Sequence, residues 1–193
     1  MILDELINRT LNGDGNSDQH TITIFGIALA LKAKNILELG IYEGATSTPL
    51  AFAAKLNEGK LTSVDNEIRD HYIDPSLSES RITIEQDSIE FLKEEVKKNS
   101  YYDLVYIDDW HEYSHVKKEL ELIEQITDKK SVILLHDLMA FTYPEYHLPL
   151  EGLKNSEWGE GGPTRAVFEL DPERWEYATI PVNNGLTILR KII

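Results

Sequence analysis

The chain has 193 residues, 41% hydrophobic and 27% charged, which are ordinary globular values that exclude disordered and fibrous classes. Its formal net charge is −15, and a surface that acidic repels phosphate backbones and anionic lipid, so neither nucleic acid nor a membrane is an expected partner. There is no cysteine, which excludes disulfides, zinc–thiolate centres and cysteine nucleophiles.

No apolar run approaches the ~18 residues of a membrane span. The start, Met1-Ile2-Leu3-Asp4-Glu5-Leu6, lacks the basic region of a signal peptide, so a cytoplasmic protein with one domain over residues 1–193 is expected.

Residues 2–10 read as a short amphipathic helix with Ile2, Leu3, Leu6 and Ile7 on one face. Asn12-Gly13-Asp14-Gly15-Asn16 breaks it, and the long apolar run 21–33 predicts a second helix, so residues 1–34 form an N-terminal helical segment. A regular alternation follows. Strands are predicted at Asn35–Gly40, Lys60–Asp65, Arg81–Glu85, Leu104–Ile107 and Lys130–Leu135. Helices are predicted over 46–57, Ser88–Lys98 and Glu112–Ile126, the last with a core stripe at Val116, Leu120 and Ile123 and Ser88 as cap of the one before it. Residues 141–163, rich in Pro, Gly and aromatics, read as a long loop. A short helix over Thr164–Leu170 precedes two strands, Trp175–Ile180 and Leu186–Leu189, joined by Pro181-Val182-Asn183-Asn184-Gly185, a hairpin signal. Strands alternating with helices predict an α/β fold, a doubly wound and mostly parallel sheet closed by an antiparallel C-terminal hairpin strand.

In such a sheet, ligands bind beyond the carboxyl ends of the strands. Those ends carry Glu38 to Gly44, Asp65-Asn66, Gln86-Asp87-Ser88, Asp108-Asp109-Trp110-His111 and His136-Asp137. Strand caps need not all be acidic, so this pattern points to a site. Gly40 and Gly44 allow backbone to approach a ligand closely. They do not form the G-x-G-x-x-G of dinucleotide sites, and Glu38 and Glu43 would repel a pyrophosphate. A ligand with a cationic centre suits the loop better. Asp65, 25 residues after Gly40, is placed to accept from both hydroxyls of a ribose.

The segment Ile36-Leu37-Glu38-Leu39-Gly40-Ile41-Tyr42-Glu43-Gly44-Ala45-Thr46-Ser47 resembles motif I of class I S-adenosylmethionine-dependent methyltransferases, in the form used by catechol and caffeoyl-CoA O-methyltransferases and by small sugar or antibiotic O-methyltransferases. Tyr102 to His111 and Val132 to Asp137 resemble the strand ends of the same branch, and Asn184 to Arg190 its last strand. The resemblance implies a Rossmann-like seven-stranded sheet and S-adenosylmethionine as cofactor. It implies that Gly40, Tyr42 and Gly44 wrap the methionine end, with the Thr46 and Ser47 hydroxyls on its carboxylate and Glu38 near its ammonium group. Asp65 and Asn66 would hold the ribose. Gln86, Asp87 and Ser88 would read the adenine, and Trp110 would lie against it. A divalent metal would fall to Asp108, His136 and Asp137. The branch has a carboxylate where His136 stands, so the imidazole favours a transition ion over Mg²⁺, or else a metal-free site in which a histidine is the base. His111 occupies the position of the residue that deprotonates the acceptor hydroxyl, and His111 with His115 is a weaker alternative metal pair.

The expected function is O-methylation of a small hydroxylated molecule. Tyr143, Tyr146, His147 and Trp158 would form an acceptor wall or a homodimer interface, and Arg165 would meet an anionic acceptor group. Two rivals are an NAD-dependent oxidoreductase, against which the missing third glycine argues, and a cofactor-binding protein without turnover. The absence of a G-x-S-x-G elbow and of cysteine argues against a hydrolase.

Overall fold

The structure, a computed structural model, describes residues 2–13, 15, 17–69, 74–138 and 161–193. Seven strands form one sheet: β1 (Asn35–Leu39), β2 (Lys60–Asp65), β3 (Arg81–Glu85), β4 (Leu104–Ile107), β5 (Val132–His136), β6 (Trp175–Ile180) and β7 (Leu186–Lys191). Their spatial order is β3-β2-β1-β4-β5-β7-β6, and β1 to β5 are parallel while β7 pairs antiparallel with both β5 and β6. The order reverses between β1 and β4, which opens a crevice at their carboxyl ends.

The alternation of side chains across each strand divides the core in two. Leu37, Leu39, Val105, Ile107, Ile133 and Leu135 pack on one face with Phe91 and Leu92 of α4 (Ser88–Lys98) and Val116, Leu120 and Ile123 of α5 (Tyr113–Ile123). Ile36, Leu61, Leu104, Tyr106 and Leu134 pack on the other with Leu6 of α1 (Ile2–Asn12), Ile24 and Ala28 of α2 (Thr21–Leu31), and Leu50 and Ala54 of α3 (Ser47–Leu56). Each fully buried leucine or isoleucine contributes about 1.5–3 kcal/mol. Strands covered on both faces explain the near-continuous apolar runs of β4 and β5.

Several boundaries differ from expectation for local reasons. The cap of α4 is Asp87, whose side chain accepts from the Glu90 amide at 3.0 Å, and Ser88 becomes the first helical residue. α5 begins after Glu112, which has extended backbone, and ends at Ile123. β5 starts two residues later than predicted and takes in His136, because Leu186 pairs opposite it. α6 (Gly162–Phe168) starts earlier, with Pro163 in its first turn. Of the predicted face of α1, Leu6 is buried while Leu3 and Ile7 are exposed. The β6–β7 turn bears out the hairpin signal: Asn183, Asn184 and Gly185 all have positive φ. Two short 3₁₀ helices, Asp18–His20 and Pro75–Ser80, carry no signal recognised in the sequence. Residues Tyr143, Tyr146, His147 and Trp158, and most of the predicted loop 141–163, lie outside the described residues.

Candidate active site at the β1–β4 crevice

Gly40 fixes the crevice. Its φ is +87°, and a Cβ there would stand 2.1 Å from the Asp108 carbonyl oxygen. Only glycine lets the turn after β1 pass so close to the end of β4. The amides that follow are held by a carboxylate: Asp65 Oδ2 accepts from Ile41 N at 2.7 Å and from Tyr42 N at 3.1 Å, and its Oδ1 accepts from Glu67 N at 3.1 Å.

Two cavities meet at this turn and share Gly40, Tyr42, Asp108 and Asp109. The larger, about 540 Å³, runs along the ends of β2 and β3 and is lined by Asp65, Asn66, Gln86, Asp87, Ser88 and Trp110 among others. Trp110 is 58% exposed there, so it is a wall rather than a core aromatic. Within this wall Gln86 donates to Glu94 at 3.1 Å, and Ser88 Oγ is hydrogen-bonded to His115 Nε2 at 3.0 Å. The smaller cavity, about 310 Å³, lies under the N-terminal segment and is lined by Arg9, Ser17, Asp18, Thr46, His111 and Asp137 among others.

Glu38, Thr46 and Ser47 sit differently from expectation. The Glu38 side chain has no exposed surface and is closed in by three hydroxyls, from Thr46 at 2.7 Å, Ser47 at 2.7 Å and Ser63 at 2.5 Å. A carboxylate inside a sheet must be satisfied internally, and the turn after β1 supplies the donors. Those hydroxyls are therefore committed to Glu38 instead of a cofactor carboxylate, and Glu38 is sealed from any ammonium group. Burial raises its pKa, against the opposing pull of Arg81 and the hydroxyls. Gly44, with φ +77°, closes the same turn without lining either cavity.

The titratable groups gather where the cavities join. Asp108 Oδ2 accepts from Tyr106 Oη and Ser17 Oγ, both at 3.0 Å. Its Oδ1 faces two imidazoles, His136 Nδ1 at 3.4 Å and His111 Nε2 at 3.5 Å. His111 Nε2 also lies 2.9 Å from Asp137 Oδ2, and His136 Nδ1 3.1 Å from Asp137 Oδ1. Asp137 takes φ +63°, a left-handed conformation that costs on the order of 1 kcal/mol or more and turns its carboxylate toward the cluster. Burial opposes ionisation of Asp108 and Asp137, yet the histidines hold both carboxyls below their usual range. Burial likewise works against charge on the histidines, but the two aspartates raise His111 to about 9 and His136 to about 10.

Asp108, His111 and Asp137 each bring a ligand atom within 4.8 Å of the others. Asp137 Oδ1 is buried and makes no hydrogen bond among the described residues. These donors fit a divalent ion. His136, expected as the third ligand, stands behind them with no side-chain exposure, its ring edge-on to His20 at 5.4 Å. The weaker alternative, a His111–His115 pair, does not form: His115 turns instead to Asp109, at 3.2 Å. Arg165, expected at the acceptor, donates to Glu169 at 2.8 Å and lies 4.0 Å over the Tyr113 ring.

Sequence reasoning missed Arg9, Ser17, Asp18 and His20. Arg9 donates to Asp18 Oδ1 at 3.0 Å, and His20 Nε2 is hydrogen-bonded to the Asn183 carbonyl at 3.1 Å. Asn12 to Asn16 reads as a helix breaker, and the Ser17-Asp18 pair that follows it is the available signal.

A methyltransferase domain family matches residues 37–138, more than half of the chain. The chain belongs to that methyltransferase family. Similar solved structures establish the same fold over nearly the full length. An O-methyltransferase from Bacillus cereus, in complex with S-adenosylhomocysteine, is 14% identical with a TM-score of 0.68, covering 98% of this chain and 90% of its own. The Podospora anserina methyltransferase PaMTH1, also bound to S-adenosylhomocysteine, is 17% identical with a TM-score of 0.64, covering 100% and 88%. The O-methyltransferase TomG from Streptomyces achromogenes, involved in tomaymycin synthesis and in complex with S-adenosylmethionine, is 16% identical with a TM-score of 0.65, covering 98% and 89%. No curated protein matches the sequence. Among the described residues no helix is long and apolar enough to cross a membrane.

Proposed function

We propose that this methyltransferase moves the methyl group of S-adenosylmethionine to a hydroxyl oxygen of a small molecule. The observation that carries the reading is the junction at Asp108, where a long cofactor-sized cavity opens onto a cluster of two carboxylates and an imidazole. The neighbours bound to S-adenosylmethionine or S-adenosylhomocysteine support the choice of cofactor. The adenosine part belongs to the larger cavity, beside Asp65, Asn66, Gln86, Asp87, Ser88 and Trp110. The methionine end belongs at the turn Gly40 to Thr46, with backbone amides and Arg9 in reach of its carboxylate in place of the Thr46 and Ser47 hydroxyls.

Catalysis by such a site is mostly positioning of the hydroxyl in line with the methyl carbon. His111 takes the hydroxyl proton as the oxygen–carbon bond forms and the carbon–sulfur bond breaks. That role requires a neutral imidazole, whereas Asp108 and Asp137 hold His111 protonated at neutral pH. Anything that engages those carboxylates releases the base. Asp108, Asp137 and His111 would hold a divalent ion, which when bound would lower the acceptor hydroxyl pKa, and His111 would then be a ligand and not the base.

Calorimetry tests the cofactor. S-adenosylmethionine and S-adenosylhomocysteine bind and NAD does not. Asp65→Ala weakens binding by about 1.5–3 kcal/mol, roughly 10- to 100-fold, through hydrogen bonds lost to a charged group. Unchanged affinity in that variant removes Asp65 from the site, and NAD binding overturns the reading altogether.

A further inference from the structure

Asp109 leaves the end of β4 on the side away from the Asp108 cluster and meets α5. His115 and Glu119 lie one turn apart on the face of α5 turned toward it. His115 Nε2 is 3.2 Å from Asp109 Oδ2, 3.4 Å from Glu119 Oε1 and 3.0 Å from Ser88 Oγ. The Glu119 side chain has no exposed surface. Neither of its carboxylate oxygens makes a hydrogen bond among the described residues, and neither does Asp109 Oδ1.

Burial and the neighbouring Asp109 charge push the Glu119 carboxyl up to about 8, so this pair is costly to hold ionised. A charge removed from water needs a partner and hydrogen bonds to hold it. Glu38 on β1 shows how this protein satisfies a buried carboxylate when nothing else is required, with three hydroxyls. Around Glu119 the nearby groups are another carboxylate and one imidazole. One cation at their centre would engage all three oxygens that the single imidazole nitrogen leaves without a hydrogen bond. The spacing agrees. Zinc binds imidazole and carboxylate at about 2.0–2.2 Å, so donors at the corners of a tetrahedron stand about 3.3–3.5 Å apart. The imidazole-to-carboxylate distances of 3.2 and 3.4 Å are close to those edges. Asp109, His115 and Glu119 each bring a ligand atom within 4.8 Å of the others. Ser88 Oγ, 3.0 Å from the same imidazole nitrogen, borders the group. One imidazole with two carboxylates suits Zn²⁺ and its neighbours better than Mg²⁺. Asp109, His115 and Ser88 also line the larger cavity, which gives the ion a way in.

We propose that Asp109, His115 and Glu119 form a binding site for a Zn²⁺-class divalent ion, separate from the Asp108–His111–Asp137 cluster. The ion ties the first turns of α5 to the end of β4 and forms part of the floor of the larger cavity.

The test uses the full chain stripped with a chelator and titrated with Zn²⁺ alone. Metal content, calorimetry and melting temperature are read on the wild type and on Glu119→Gln, His115→Gln and Asp137→Asn. The wild type takes up Zn²⁺ and melts higher. Glu119→Gln and His115→Gln lose that site, with affinity lower by at least about 100-fold for the loss of one ligand, and Asp137→Asn keeps it. Glu119→Gln removes a buried charge and keeps the side-chain shape; if it does not fold, His115→Gln carries the comparison. Absence of Zn²⁺ uptake by the wild type overturns the proposal. So does uptake that Asp137→Asn abolishes while Glu119→Gln and His115→Gln retain it.

Discussion

Glu38 pairs in register with Tyr106, and Asp108 follows Tyr106 by two residues, so the two carboxylates point to the same side of adjacent strands. Both of Glu38's oxygens are occupied, by the hydroxyls of Thr46, Ser47 and Ser63. Only one of Asp108's is: Tyr106 and Ser17 both donate to Oδ2, while Oδ1 is left to the histidines. The shifts are opposite. Burial holds Glu38 toward its neutral form, and the imidazoles overcome burial at Asp108 to keep it ionised. Exposure separates them: the carboxylate that braces a turn is fully buried, and the one that faces the cavities is 18% exposed. The deep one has its donors supplied by the turn it braces. The shallow one is steadied on one side by fixed hydroxyls and left reactive on the other.

The largest expected effect comes from the residue that joins the two regions. Gly40→Ala puts a methyl group 2.1 Å from the Asp108 carbonyl at a backbone angle alanine avoids. Either the turn after β1 or the end of β4 must move, and both carboxylates move with it. Denaturant unfolding shows a loss of at least about 4 kcal/mol, or no folded protein. A loss under about 1 kcal/mol means the crevice is looser than the packing indicates.

The chemical half of the comparison breaks at His111. With an oxyanion to be formed at its partner, His111→Gln lowers kcat by about 10²–10⁴-fold. Affinity for S-adenosylhomocysteine changes little, because His111 does not line the larger cavity, to which the adenosine part is assigned by our proposal. A fall in affinity as large as the fall in kcat would make His111 a binding residue. The proton would then have to leave by another route.

The ends of the strands were legible because a buried parallel strand writes a continuous apolar run and its first polar residue marks the carboxyl end. That rule located Asp65, Asp108 and Asp137, and the glycines located the turn. It gave type and place but not depth. Glu38 and Asp108 both looked like acids at strand ends, and no local pattern told which would be sealed. Glu119 was hidden for a related reason. The stripe Val116, Leu120 and Ile123 gave the buried face of α5, and Glu119 borders it, but a glutamate there reads as the rim of an exposed helix. The i,i+4 spacing of His115 and Glu119 was a visible signal. Ser17 meets Asp108 across 91 residues of chain, a contact that belongs to tertiary structure alone. Helix and strand boundaries shifted where a partner decided them, as at His136 opposite Leu186.

The smallest effect, and the cleanest test of the comparison, is the pH dependence carried by Glu38. Its folded pKa lies above the 4.5 it has in an unfolded chain. Between those two values the folded protein holds a proton that the unfolded chain has lost. Stability from this group is therefore fully present below about pH 4.5 and falls as pH rises through the folded pKa, by at most about 1.4 kcal/mol per pH unit. Asp108 and Asp137 act in the opposite sense. Their folded pKa values lie below the unfolded ones, so their contribution is lost as pH falls. The two trends overlap in any single melting curve, but Glu38→Gln separates them, because glutamine resembles the protonated acid and does not titrate. The stability of the wild type relative to Glu38→Gln should decline from pH 4.5 upward and level off once the wild-type carboxyl has ionised. If the difference is flat from pH 4.5 to 8, Glu38 ionises as readily inside the sheet as in water. The Arg81 charge and the three hydroxyls would then outweigh burial, and Glu38 and Asp108 would differ in access to solvent but not in charge.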